Sequence, residues 1–279
     1  MTIRTMLVHL APDPDCEARL NAAVSMAKRL EAHLTTLYVA VPVHMPAGAE
    51  GRGASIAYLA AARETAREKA AEVEARAKAA CEAAGVSWSW VVGEADHLED
   101  LLEHVHHVDL TVINQVSFDS FEDRLMFQLP EKLVIGAGGP VLVLPKGTHD
   151  LDVNGFGTVL IAWTYSKEAI RAVRDAMPLL HRADKVRVLS CGPGPKDADA
   201  DAVEKEIMFY LESHEIEAEH ISHSVRGHAG EEILDTAEAV KADLIVMGAY
   251  SHTSFLDKLF GSASRYVISH TTVPILMSH

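Results

Sequence analysis

The chain has 279 residues, enough for two domains with cores of their own, and its formal net charge of -15 offers no basic footprint for nucleic acid. Hydrophobic residues make up 48% and charged residues 23%, the balance of a globular protein, and no apolar run approaches the roughly 18 residues of a membrane span. The cysteines Cys16, Cys81 and Cys191 are widely spread without a C-x2-C pair, and the apolar run Met6–Leu10 is too brief for a signal-peptide core, so a soluble protein of the reducing cytoplasm is expected.

Met6–Leu10 reads as a first strand, followed by a helix from about Asp15 to Glu31 and a second strand, Leu34–Val41. The glycine-rich loop PVHMPAGAEGRGAS leads into an alanine-rich helix from Ile56 to Ala84. That helix carries Glu72/Arg76 and Glu74/Lys78 at i, i+4 and is capped by Gly85. A strand from Val86 to Val92, then Gly93, a helix, a strand opening at Asp109 and a last strand Val141–Leu144 complete the first half. Pro145–Gly157, PKGTHDLDVNGFG, is polar and rich in turn residues, which sets two units at 1–147 and 158–279 with 148–157 as the linker.

The second half repeats the first. Setting Asp109 against Asp243 aligns Gly93 with Gly227, Ser117 with Ser251, Phe121 with Phe255, Leu125 with Leu259 and Pro140 with Pro274, all in one register. The first strands correspond as Met6–Leu10 and Val159–Trp163, and the first half carries about nineteen extra residues in between, mostly in its long helix. The matching helix of the second half spans about Asp199–Ser213, and the strand after it Glu217–Val225. Each half is therefore β-α-β-α-β-α-β-α-β, which predicts an α/β fold of two tandem doubly wound parallel five-stranded sheets with helices on both faces. Val273–Met277, with Pro274, reads as an edge strand.

The stretch after the strand Leu244–Met247 carries the clearest functional signal. Gly248, Ser251, then Gly261-Ser262 opening an apolar helix with Tyr266, Val267 and Ile268, would set backbone N–H groups and a helix N-terminus at the C-terminal end of a strand. An open α/β sheet binds anions there. The ligand-free account is that Gly248 lets the chain leave the strand and Ser262 is an ordinary N-cap.

The spacing Gly248-x2-Ser251-x9-Gly261-Ser262, followed by a helix and a V-P-[IV]-L strand, resembles the G-x2-G-x9-G-[ST] signature of the universal stress protein family, and the tandem likeness spans essentially the whole chain. The resemblance implies strand order 3-2-1-4-5, edge strands that meet across a two-fold axis as a dimer within the chain, and a stress-response regulator that binds an adenine nucleotide (ATP, ADP or AMP), with Mg as a companion ion. Carried over residue by residue, Gly248, Ser251, Gly261 and Ser262 would hold phosphate and ribose, with His252, Lys258 and Arg265 as neutralising charges and Cys191 beside the adenine. The sequence departs from the pattern at Ser251, where the family has glycine, and at Thr164, where ATP-binding members have an aspartate that takes the ribose hydroxyls; the first half offers Ala11 or the nearby Asp13. In the first half Gly248 corresponds to Asn114, and Gly261-Ser262 to Phe127-Gln128, so no family-type ATP site is expected there.

Other chemistry is weaker. Glu103, His104 and His107 could share a helix face, but His106-His107 fall at a helix end where imidazolium complements the dipole, and His220 and His223 lie three apart in a strand. No G-x4-G-K-[ST], G-x-S-x-G or H-E-x2-H occurs, and with no catalytic base in view turnover is slow or absent. The rival to nucleotide binding is a protein-interaction or scaffold module of the same fold. A homodimer of tandem chains is a further expectation, and neither nucleic acid nor membrane is expected as a partner.

Overall fold

The computed structural model describes residues 2–40, 52–93, 96–115, 128–147, 156–191, 200–221, 228–249 and 261–279. In chain order the first half comprises β1 Thr5–Leu10, α1 Cys16–Leu30, β2 His33–Val39, α2 Arg52–Ala84, β3 Trp88–Gly93, α3 His97–Val105, β4 Leu110–Asn114, α4 Leu129–Gly136 and β5 Val141–Leu144. The second comprises β6 Thr158–Trp163, α5 Lys167–Leu180, β7 Lys185–Ser190, α6 Ala200–Ser213, β8 Ala218–Ile221, α7 Ala229–Val240, β9 Leu244–Gly248, α8 Gly261–His270 and β10 Ile275–Ser278.

The strands run in the order β3-β2-β1-β4-β5-β10-β9-β6-β7-β8, so each half has the expected 3-2-1-4-5 arrangement. All pairings are parallel except one. β10 meets β5 antiparallel, with Ile275 opposite Val143, Leu276 opposite Leu142 and Met277 opposite Val141. The two sheets are thus one sheet of ten strands, and β10, an edge within its own half, is an interior strand of the whole. Pro274 stays just outside β10, where it has no N–H to give; its carbonyl accepts from Ile245 N at 2.9 Å.

The inner strands β1, β4, β5, β6, β9 and β10 are buried on both faces, which is why they read as continuous apolar runs, while the outer strands β3 and β8 are only partly covered. Alternate residues feed two cores. Met6, Val8 and Leu10 of β1 belong to the core that runs under α1, α2, α5 and α6 on one face of the sheet, and Leu7 to the core under α3, α4, α7 and α8 on the other. Helix ends follow local chemistry: Gly85 after α2 has φ +71°, Glu31 after α1 and Lys241 after α7 take the left-handed cap, and Ser166 caps α5 by accepting from Ala169 N at 3.2 Å.

The paired aspartates that reveal the repeat are staples for the first strands. Asp109 Oδ2 accepts from Arg4 N, Thr5 N and Thr5 Oγ1 at 2.8, 2.9 and 3.0 Å, and Asp243 Oδ2 accepts from Thr158 N at 2.7 Å. Burial works against the Asp109 charge, but these donors hold its pKa below the ordinary carboxylate value.

Because Leu276 is fully buried opposite Leu142 at the junction of the halves, Leu276→Ala is expected to cost about 2–5 kcal/mol of unfolding free energy. Urea denaturation measures it, and a loss well under 1 kcal/mol would show that the junction contributes little to stability.

Candidate functional site

In the second half, β9, β6 and β7 are neighbours, and their C-terminal ends bring three of the sequence-predicted residues together. Thr164 follows β6, Cys191 follows β7 with its N–H donating to Trp163 O at 2.7 Å, and Gly248 ends β9. α8 opens at Gly261-Ser262 on the return from β9 to β10. Ser251, His252 and Lys258 lie outside the described residues.

Each of these residues also has a local role. Thr164 Oγ1 lies 3.1 Å from Ser166 Oγ, the hydroxyl that caps α5, so its hydrogen-bonding capacity is tied to the start of that helix. A Cβ built on Gly248 would sit 2.4 Å from Ala169 N and 2.6 Å from Glu168 C, both backbone atoms. Glycine is therefore required by the approach of β9 to the first turn of α5, whether or not a ligand comes near. Burial, and then the Glu232 carboxylate, push the Cys191 thiol up to about 12, which leaves it a protonated, inert lining group. Arg265 faces the other half, its Nε 3.9 Å from Glu131 Oε1.

Two polar groups here were not legible in the sequence. Glu168, in the first turn of α5, is 2% exposed; among the described residues its Oε1 has no hydrogen-bond partner, and it lies 3.6 Å from the exposed Lys167 Nζ. Trp163, 6% exposed at the end of β6, buries an indole Nε1 that likewise lacks a hydrogen bond. A carboxylate at a helix N-terminus is favoured by the dipole, and Glu168 offsets the positive end that would otherwise draw a phosphate. The only signal for it was an acidic residue two positions after a serine N-cap.

The corresponding end of the first half is filled by its own side chains. Arg19 is buried, donates from Nε to His9 O at 2.6 Å, and binds Asp13 Oδ2 through an Nη at 2.7 Å. Asp13, the candidate for ribose hydroxyls, also accepts from Asp15 N at 2.9 Å. Beside this ion pair His9 Nε2 and His97 Nδ1 share a hydrogen bond of 2.9 Å. Asn114 ends β4 with a buried Oδ1 that has no hydrogen bond, and Gln128 enters α4 at φ 62°; Phe127 lies outside the described residues.

The histidines read as metal candidates have other partners. α3 ends at Val105, which leaves His107 beyond the helix, and His104 Nδ1 donates to Asp100 O at 2.8 Å. His220 Nε2 lies 3.1 Å from Ser190 Oγ and 3.4 Å from Glu204 Oε1, and His223 is outside the described residues. Among the described residues no group of three or more His, Cys, Asp or Glu is placed to hold a metal ion, and no helix is long and apolar enough to cross a membrane.

A family model described as the universal stress protein family matches residues 2–145 and again 155–279. Comparison with curated proteins gives no match. Among solved structures, a universal stress protein from Archaeoglobus fulgidus DSM 4304 superposes with a TM-score of 0.75 at 21% identity, covering 99% of this chain and 96% of its own. A functionally unknown protein from Pseudomonas aeruginosa PAO1 gives 0.57 at 18% identity, covering 99% and 92%. At these identities the likeness is one of fold. A shorter protein, the universal stress protein from Archaeoglobus fulgidus solved in complex with dAMP, covers 43% of this chain and 94% of its own at 23% identity and a TM-score of 0.32.

The His9–His97 pair predicts acid sensitivity. Burial is the main cause that lowers both pKa values below 6.5; Arg19 lowers both further, while Asp96 and Asp13 partly restore that of His97. The unfolded chain therefore takes up protons first as pH falls below about 6.5, and stability present above that value is lost on the way down. Melting temperature measured from pH 7.5 to 5.5 should fall more steeply for the wild type than for His9→Leu/His97→Leu, and equal slopes would assign the acid sensitivity to other groups.

Proposed function

The chain belongs to the universal stress protein family, and on that premise we propose that it is a cytoplasmic stress-response regulator whose second half, 158–279, binds an adenine nucleotide while its first half, 1–147, does not. The observation that supports this reading is the convergence of Thr164, Cys191 and Gly248 on the ends of three adjacent parallel strands, with α8 opening at Gly261-Ser262 on the return from β9 to β10. Residues 148–157 act as the linker.

Gly248, Ser251, His252, Gly261 and Ser262 take the phosphate side of the ligand in this reading, and Thr164 and Cys191 the ribose and adenine side. Glu168 and Ser251 both weigh against a long phosphate chain, one by charge and the other by bulk. The bound species accordingly carries few phosphates, and any Mg arrives with those phosphates, because the described residues supply no ligand set of their own. The Asp13–Arg19 ion pair supports the assignment of the first half, since a carboxylate held by a buried guanidinium is not offered to a ribose.

Two substitutions test the site. Gly261→Phe, which copies Phe127 of the first half, places an aromatic ring at the N-terminus of α8 and should abolish nucleotide binding in titration calorimetry; unchanged affinity would move the ligand elsewhere. Ser251→Gly restores the family residue and should raise ATP affinity by something like 1 kcal/mol, about fivefold, by removing the obstruction. A weaker complex instead would make the Ser251 hydroxyl a phosphate ligand.

A further inference from the structure

The internal repeat supplies a reference for the surface of the second half over its outer strands, β7 and β8. Register pairing makes the correspondence unambiguous. Thr5 stands beside His33 as Thr158 stands beside Lys185, so Leu34 matches Val186 and Tyr38 matches Ser190. Leu34 in turn stands beside Trp88 as Val186 stands beside Ala218, and Thr36 beside Trp90 as Val188 beside His220. In the first half, Trp88 and Trp90 pack against the core under α2, and Trp90 stacks on Tyr38 with ring centroids 5.9 Å apart. In the second half those three aromatics are Ala218, His220 and Ser190.

Space remains where the indoles are missing. A cleft of about 730 Å³ opens between α6 and the starts of β7 and β8, with Val186, Met208, Ile216 and Ala218 on its apolar walls. A second, of about 380 Å³, lies along α6 where His220 replaces Trp90, and Met208 and Glu212 line both. Phe209, 70% exposed, lines this second cleft. Among the described residues β8 pairs with β7 alone, so its outer side carries no strand. The larger cleft is acidic: Asp184, Glu212, Glu215 and Glu217 line it, and of its two cations Arg187 is bound to Glu219.

We infer that this face of the second half docks a basic segment of another protein, which lies along the open edge of β8 and seats a tryptophan in the cleft over Ala218. The first half shows that an indole fits this point of the fold, and the acidic lining selects lysine or arginine around it. A second copy of this chain is a poor occupant, because its net charge of -15 repels the same lining.

The probe is a fluorescently labelled Lys-Trp-Lys-Trp-Lys peptide titrated with the full chain and read by anisotropy. Saturable binding is expected, weakened at least tenfold when both tryptophans of the peptide are alanine. It should weaken as much in Ala218→Trp, which fills the cleft as the first half fills its own, and in Met208→Lys, which places a like charge between the clefts. Each variant is scored only if it melts as the wild type does; the alanine peptide needs no variant at all. Equal binding of the alanine peptide would reduce the interaction to surface charge and overturn the proposal, as would unchanged affinity in a folded variant or no binding to the wild type. Sedimentation that finds a dimer dissociated by either variant would give the face to a second copy and also overturn it.

Discussion

The antiparallel pairing of β5 with β10 is the contact on which the architecture depends. A parallel five-stranded sheet ends in a strand whose outer N–H and C=O groups are unpaired, and an apolar edge of that kind is an invitation to aggregation. Here each half covers the other's edge, so the VLVL of β5 and the ILM of β10 become interior strands, almost wholly buried. Side chains cross the same seam: Gln115 Nε2 donates to Ile268 O at 2.8 Å, and Arg171 donates to the Gly138 carbonyl. Because this one pairing is antiparallel, the strands of the two halves run in opposite senses. The C-terminal strand ends, where this class of sheet places ligands, therefore lie at opposite edges of the ten-stranded sheet.

Freed from sharing a pocket, the two ends have diverged. The first has turned inward. Its Asp13 is held by Arg19, Arg19 holds the carbonyl of His9, and His9 is bonded to His97, so the polar groups satisfy one another. The second keeps two buried polar atoms without a hydrogen bond among the described residues, Trp163 Nε1 and Glu168 Oε1, beside a glycine pressed against a helix backbone. Buried groups left without a hydrogen bond are costly, and among the described residues the second end keeps two of them where the first keeps one, Asn114 Oδ1 at the end of β4.

The flanks have diverged in the opposite direction. Trp88, Trp90 and Tyr38 close the first half under the 33-residue α2, and the 14-residue α6 leaves the same region of the second half open. One half is thus packed at its outer strand, while the other leaves a cleft there.

What the sequence determined by itself was the repeat and the order of elements, because these rest on short-range chemistry and on self-comparison; the strand order was implied by the family resemblance and is set by the tertiary structure. Buried parallel strands read as apolar runs, Gly85 marks a helix end by its own conformational preference, and Asp109 against Asp243 fixes the register of the halves. Even so, the same letters left roles open. Gly248 looks alike whether it makes room for a phosphate or for the backbone of Glu168 and Ala169, and only the tertiary fold, in which an added Cβ would fall 2.4 Å from Ala169 N, shows the second demand. Tertiary structure alone joined His9 to His97 across 88 positions, set Arg19 on Asp13, and placed Ala218 where its repeat partner is Trp88. Those outcomes depend on which strands become neighbours and in what register, and a pairing between distant segments leaves no local periodicity for the sequence to display.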